Sequence, residues 1–258
     1  MKPLLNIQQL TIQHQKTNRP ILDQLSLSIQ KGEIISLVGA SGSGKSLLAQ
    51  AIFNLLPKSL QQTGEIYYQE NLLTEKTVKS LRGKEIVLIP QSLEALDPLM
   101  TVGKQMKALI KKGDKEHYLQ KIINQLGLRT ELLKKYPFEL SGGQARRVLV
   151  AIALASEANL VIADEPTPGL DEHALRDMLQ LLTTFRTENR ALLMITHDFQ
   201  AAREISDYIA VLYQGEIVEV APVTAFSGKG VHLKHAYTKQ LWRSLPENDF
   251  TTVNNRLR

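Results

Sequence analysis

The chain has 258 residues, 43% of them hydrophobic and 22% charged, with a formal net charge of +5, and that length accommodates one large domain with a sizeable core. It contains no cysteine, which excludes disulfides, cysteine-ligated zinc or iron–sulfur centres and a cysteine nucleophile. No apolar run approaches the ~20 residues that span a bilayer, the opening MKPLLNIQQL lacks the h-region of a signal peptide, and the modest charge makes no case for nucleic acid.

In chain order, LNIQQLTI and LSLSI alternate apolar and polar residues at period two, as half-buried antiparallel strands do. Lys31-Gly32 forms a turn. Ile34 to Val38 is a short apolar run, the pattern of a buried parallel strand, and it leads into a glycine-rich loop and a helical pattern from Lys45 to Leu56. Ile66-Tyr67-Tyr68 and Ile86 to Ile89 read as further strands. From Thr101 to about Leu133, apolar residues recur at three and four with lysines opposite, which predicts a helical insertion. Gln144 to Ala155 is a helix, Leu160 to Ala163 a buried strand, Leu175 to Phe185 an amphipathic helix, and Leu192 to Ile195 a strand. Ile209 to Tyr213 and Ile217 to Val220 pair across Gln214-Gly215. From about Phe226 the chain is polar and weakly patterned. Strands alternating with helices predict a mostly parallel, covered sheet, with chemistry at the carboxyl ends of its strands.

Three strand ends carry reactive groups: the Gly39–Ser46 loop, Asp164-Glu165 and His197. Gly39-Ala40-Ser41-Gly42-Ser43-Gly44-Lys45-Ser46 fits G-x-x-x-x-G-K-[ST] between a strand and a helix. Its backbone N–H groups can cradle phosphates, Lys45 can reach the β- and γ-phosphates, and Ser46 can ligate Mg²⁺. Asp164-Glu165 ends an apolar strand; Asp164 suits Mg²⁺, and Glu165 suits the general base that polarises water. Leu140-Ser141-Gly142-Gly143-Gln144 opens a helix and makes a second anion-binding start. One chain does not need two γ-phosphate sites, so this one is expected to serve a nucleotide held by another chain.

In this order the motifs resemble those of the ABC-transporter ATPases, over nearly the whole chain. The resemblance makes Ser141-Gly142-Gly143-Gln144 the signature motif, Gln91 the Q-loop glutamine that senses Mg²⁺ and nucleotide, and Asp171 of Pro168-Gly169-Leu170-Asp171 the D-loop residue at the dimer interface. His197 matches the switch histidine that bonds the γ-phosphate. His14 falls near the aromatic position that stacks on adenine, and reads equally well as an exposed strand residue. Arg146 departs from the family's usual glutamine. More narrowly, Ala95 to Gly103, Tyr136 to Leu140 and His235 to Leu241 are similar to segments of the peptide/nickel importer group. The absence of a cysteine cluster in the tail favours the nickel- or metallophore-type subunits.

The expected fold is α/β: a P-loop nucleotide-binding core with a mostly parallel sheet over 1–91 and 148–225, including an N-terminal antiparallel β subdomain. A helical subdomain with the signature motif is expected over 92–147 and a short extension over 226–258. The resemblance implies ATP and Mg²⁺, two integral-membrane permease subunits, a second, paralogous ATPase subunit, an extracellular solute-binding protein acting indirectly, no nucleic acid, and a peripheral place on the cytoplasmic face of the cell membrane. A soluble ABC-type ATPase uncoupled from transport, a P-loop kinase or GTPase, and a regulator without turnover are the competing readings. Long coiled-coil insertions or a second cassette, expected of the first, are missing. The signature and D-loop argue against the second, and Glu165 with His197 against the third.

Overall fold

Residues 2–110 and 113–245 are described by a computed structural model. β1 (Leu5–His14) and β2 (Pro20–Ile29) pair antiparallel, and β3 (Ile34–Gly39) runs into α1 (Lys45–Ile52). β4 (Leu60–Tyr68) returns beside β1, followed by the short β5 (Asn71–Leu72), α2 (Glu75–Leu81) and β6 (Ile86–Ile89). The predicted insertion is helical: α3 (Val102–Leu109) and α4 (Lys115–Gln125) lead through 3-10 turns to α5 (Gly142–Ala155). Then come β7 (Leu160–Asp164), α6 (Glu172–Thr183), β8 (Ala191–Thr196), α7 (Phe199–Ile205), the hairpin β9 (Tyr208–Tyr213) and β10 (Glu216–Pro222), and α8 (Ala236–Arg243).

These strands form a four-stranded antiparallel sheet, β2-β1-β4-β5, and a six-stranded sheet, β10-β9-β3-β8-β7-β6. In the larger sheet only β10 is antiparallel to its neighbour. The α/β expectation holds, with its mostly parallel sheet, antiparallel β subdomain and inserted helices. Period-two alternation sorts the strands' side chains to the two faces. Ile35, Leu37, Ile162, Leu193 and Leu212 join a core shared with α1 and the antiparallel sheet. Val38, Val161, Leu192, Met194 and Val211 join a second core under the helices from α3 to α8. The large sheet is thus a partition buried on both sides, which is why its strands read as continuous apolar runs.

Several elements differ from the sequence expectations. β1 does not alternate throughout: Gln9 has φ 49° and the pairing slips between Ile7 and Leu10. The extra residue returns Leu10 and Ile12 to the buried face. Hydroxyls repair the interrupted ladder, since Ser26 accepts from the Gln9 N–H and Thr11 from that of Gln24. α1 stops at Ile52 rather than Leu56, and Asn54 takes a left-handed conformation, φ 47°. α5 begins two residues before Gln144, so it is continuous across position 147.

The tail after Phe226 needs the largest correction. Instead of a weakly patterned strand of polar residues, it carries α8, and Phe226, Leu233 and Trp242 are buried in the second core. Their spacing is irregular because a loop with Gly228 and Gly230 separates them, so no period announces them. Residues 246–258 of the expected extension lie outside the described residues.

The β9–β10 turn ties the two sheets together. The Asp23 N–H donates to the Gly215 carbonyl at 2.9 Å, and Gly215 has φ +88°. A Cβ there would lie 2.6 Å from the Ile21 carbonyl oxygen. Gly215→Ala is therefore expected to lower stability by about 1–3 kcal/mol, from backbone strain plus a clash with main chain that cannot swing aside. A lowered urea midpoint at unchanged slope is the reading expected; an unchanged midpoint would mean that the turn does not press on β2.

Candidate nucleotide site

Strand register assembles the site. β3, β8 and β7 are adjacent and parallel, with Val38 level with Thr196 and Asp164 level with Ile195. All three chains leave the sheet at one edge. The Gly39–Ser46 loop follows β3, His197 follows β8, and Glu165 follows β7. The sequence placed each group at a strand end, and parallel pairing puts those ends side by side.

The loop curls through Gly42 at φ 76° and Gly44 at φ 96°, a conformation that favours glycine. Lys45 is folded back into it. Its ammonium donates to the Gly39 and Ala40 carbonyls, each at 2.9 Å, and lies 4.0 Å from Glu165 Oε1. Burial pushes the Lys45 pKa below its usual value, against the attraction of Glu165 and Asp164. The Ser43 hydroxyl is buried with no hydrogen-bond partner among the described residues. The Ser46 hydroxyl donates to Asp164 Oδ1 at 3.1 Å. A hydroxyl and a carboxylate so placed are hard oxygen donors of the kind Mg²⁺ takes, so the pair fits that ion.

Glu165 is buried, 7% exposed, in a left-handed backbone conformation, φ 48°. Its N–H donates to the Ile195 carbonyl at 2.8 Å, and its Oε2 lies 2.9 Å from His197 Nδ1. A carboxylate only accepts, so Nδ1 carries the hydrogen of that bond. Glu165 is thus held between an imidazole and an ammonium. Sequence reasoning did not find the third support. Arg146, noted only as a departure from the family pattern, donates to the Pro166 carbonyl at 3.2 Å, from α5 to the residue after Glu165. No local pattern in the sequence signals that reach.

Among the described residues, none of the other expected residues hydrogen-bonds to this cluster. Gln91 is exposed two residues beyond β6, and His14 is exposed at the end of β1. Asp171 caps α6, accepting from the Ala174 N–H at 2.8 Å. Ser141 and Gln144 form a reciprocal capping box at the start of α5. Gly142 and Gly143 are exposed, and a Cβ on either would meet nothing within 4 Å. Ser141 and Gly143 line a cavity of about 480 Å³ together with Arg147, Leu170 and Ala174. No residue of the Gly39–Ser46 loop lines that cavity. The start of α5 thus shares this cavity with Leu170 and the first turns of α6, and the Gly39–Ser46 loop does not.

A strand–glycine loop–helix with an inward lysine, beside a hydroxyl–carboxylate pair and a buried glutamate, defines a P-loop nucleoside triphosphatase. The ABC transporter family matches residues 22–168. The oligopeptide transport ATP-binding protein OppD of Lactococcus lactis is 37% identical over 245 residues, 90% of this chain and 71% of the relative. The metal-staphylopine import system ATP-binding protein CntD of Staphylococcus aureus is 34% identical over 251 residues, 92% of each chain. Among solved structures, a dimer of the ATP-binding cassette MJ0796 bound to ADP and Pi superposes with a TM-score of 0.74 at 27% identity, over 85% of this chain and 98% of that one. The chain belongs to the ABC transporter family and is one of its ATP-hydrolysing subunits.

The buried carboxylate beside Ser46 sets a stability test. Burial raises the Asp164 pKa above the usual carboxylate value, opposed by the Ser46 hydrogen bond, with Glu165 adding to the rise and Lys45 opposing it. Between the unfolded and folded pKa values the folded chain binds more protons, so stability falls as pH rises through that window. Above it the cost of the charge is fully present. Asp164→Asn should therefore raise the melting temperature of the nucleotide-free chain at pH 8, by a margin that shrinks as pH falls toward the window. Equal gains at pH 8 and at the ordinary carboxylate value of 3.8 would show that burial of the charge is not the cause.

Proposed function

We propose that this chain is the motor subunit of an ABC importer for a metal chelate or a short peptide, working as one of two paralogous ATPase subunits. The observation that carries the reading is Glu165, buried at a strand end between His197 and Lys45. In this reading ATP takes its phosphates to the Gly39–Ser46 loop, and its adenine rests on the His14 imidazole. Lys45 leaves the Gly39 and Ala40 carbonyls for the β- and γ-phosphates. Glu165 Oε1 then faces water instead of an ammonium. Its carboxylate takes a proton as the water oxygen bonds to the γ-phosphorus, and the bond to the β-bridging oxygen breaks with its electron pair leaving on ADP. His197 fixes the glutamate from the other side. Mg²⁺ held by Ser46, Asp164 and Gln91 would neutralise charge on the β- and γ-oxygens.

The signature residues Ser141, Gly142, Gly143 and Gln144 would close on the nucleotide of the partner subunit, with Asp171 at the shared interface. Their separation from the chain's own loop supports this, as does the open space around both glycines. The names of the relatives support import of a peptide or a metal chelate. No helix among the described residues is long and apolar enough to cross a membrane. The chain would sit on the cytoplasmic face, against two permease subunits that receive solute from an external binding protein.

Glu165→Gln should slow hydrolysis by roughly 10²–10⁴-fold, the range for loss of a general base, while leaving nucleotide binding intact. With ATP and Mg²⁺ the variant should accumulate as a closed dimer by light scattering. Normal turnover would place the base elsewhere.

The docking surface for the permease subunits is proposed on the insertion, 92–140. It is tethered at Gln91 and Ser141, and it presents Leu99 at 86% exposure and Phe138 at 75%, the latter stacked on Tyr136. Because the chain has no native cysteine, single cysteines between Asp97 and Lys104 can be cross-linked to the permeases' cytosolic loops. Cross-links confined to α8 and its surroundings would refute the assignment.

A further inference from the structure

His197 is not held by Glu165 alone. It lies between β8 and α7, and α7 starts two residues later, capped by Asp198, whose Oδ1 accepts from the N–H groups of Gln200 and Ala201. The first residue of α7, Phe199, is buried against the C-terminal segment. Its ring meets Phe226 edge-on at 5.0 Å and Trp242 at 5.8 Å. One turn along α7, the Arg203 guanidinium lies over the Trp242 ring, 5.4 Å from its centroid. Trp242 therefore grips α7 at two points, four residues apart on one helix face.

The grip is itself anchored. The Trp242 indole N–H donates to the Gly228 carbonyl at 2.9 Å. Glu219, buried in β10 at 8% exposure, spends both carboxylate oxygens on backbone N–H groups of the segment, Lys234 at 2.7 Å and His235 at 2.9 Å. His235 caps α8, and Tyr237 stacks on Tyr213 of β9 at 3.8 Å. A buried carboxylate committed to two main-chain donors fixes a loop far better than an exposed ion pair does.

We propose that the C-terminal segment from Phe226 to Arg243 is a clamp that positions His197, with Trp242 as the positioning residue acting through Phe199 and the start of α7. This rests on the role assigned above to His197. A histidine more than half exposed, with one side-chain bond to Glu165, depends for its aim on the backbone that follows it. That backbone is fixed by the aromatic cluster. The segment thus belongs to the hydrolytic machinery at one remove and touches neither nucleotide nor Glu165.

The test is a double-mutant cycle in the full-length chain, read as ATPase kcat and KM alongside nucleotide affinity. Trp242→Ala should lower kcat roughly tenfold, the scale on which misplaced catalytic groups are felt, with KM and affinity within about twofold of normal. Trp242→Phe should recover most of the loss. In a His197→Ala background, Trp242→Ala should cost nothing further, because the two act as a unit. An equal loss with and without His197, or no loss at all, overturns the clamp. Normal turnover in His197→Ala alone overturns the histidine's role and the clamp with it. Phe199→Leu, which loosens the same contact while keeping an apolar core, carries the same cycle if Trp242→Ala does not fold, with the same outcomes.

Discussion

The parallel pairing of β7 with β8 and of β8 with β3 is the constraint on which the rest depends. It fixes which residues stand level at the sheet edge: Val38 with Thr196, and Asp164 with Ile195. A slip of one residue would turn every side chain of a strand to the other face. Here that would move Val161 and Met194 out of one core into the other, and would carry Glu165 away from His197 and Lys45. The separate cores on the two faces hold the register. The chemistry then needs only the next one or two residues of each chain.

Those residues are kept under tension. Glu165 occupies a left-handed backbone region that costs a non-glycine residue about 1–2 kcal/mol. It stays there because its N–H is tied to Ile195, its carboxylate to His197, and the following carbonyl to Arg146. Lys45 adds the electrostatic counterpart. Its charge is met by two carbonyls and lies 4.0 Å from the glutamate, so the buried ammonium is not left bare.

Much of this was legible in the amino acids. Ile34 to Val38, Leu160 to Ala163 and Leu192 to Ile195 are unbroken apolar runs ending in glycine or charge, and such runs admit few structures other than buried strands with polar exits. The spacing of Met106, Leu119, Ile122 and Ile123 likewise marks helices by their apolar faces. What escaped was non-local or short. The bulge at Gln9 was written in the three-residue step from Ile7 to Leu10, yet it reads as alternation unless the partner strand is known. α7 has seven residues and begins inside what reads as a strand-end loop. α8 buries little beyond Thr238 and Trp242, and its significance lies in Phe199 and Glu219, residues far off in sequence. The reach of Arg146 to Pro166 depends on how α5 lies against β7, which no local pattern encodes.

Gly142 and Gly143 stand in the first turn of α5 with ordinary backbone angles and open space where a side chain would go. Nothing among the described residues requires them to be small. In a helix, alanine is favoured over glycine, by roughly 0.5–1 kcal/mol in the interior and less near the end. The folded monomer would therefore gain from alanine at both places. Under the composite site proposed above, their bareness suits a neighbour that comes closer than a methyl group would allow. In that reading the two residues carry the imprint of a surface that belongs to a partner, kept at some cost to the stability of the chain itself.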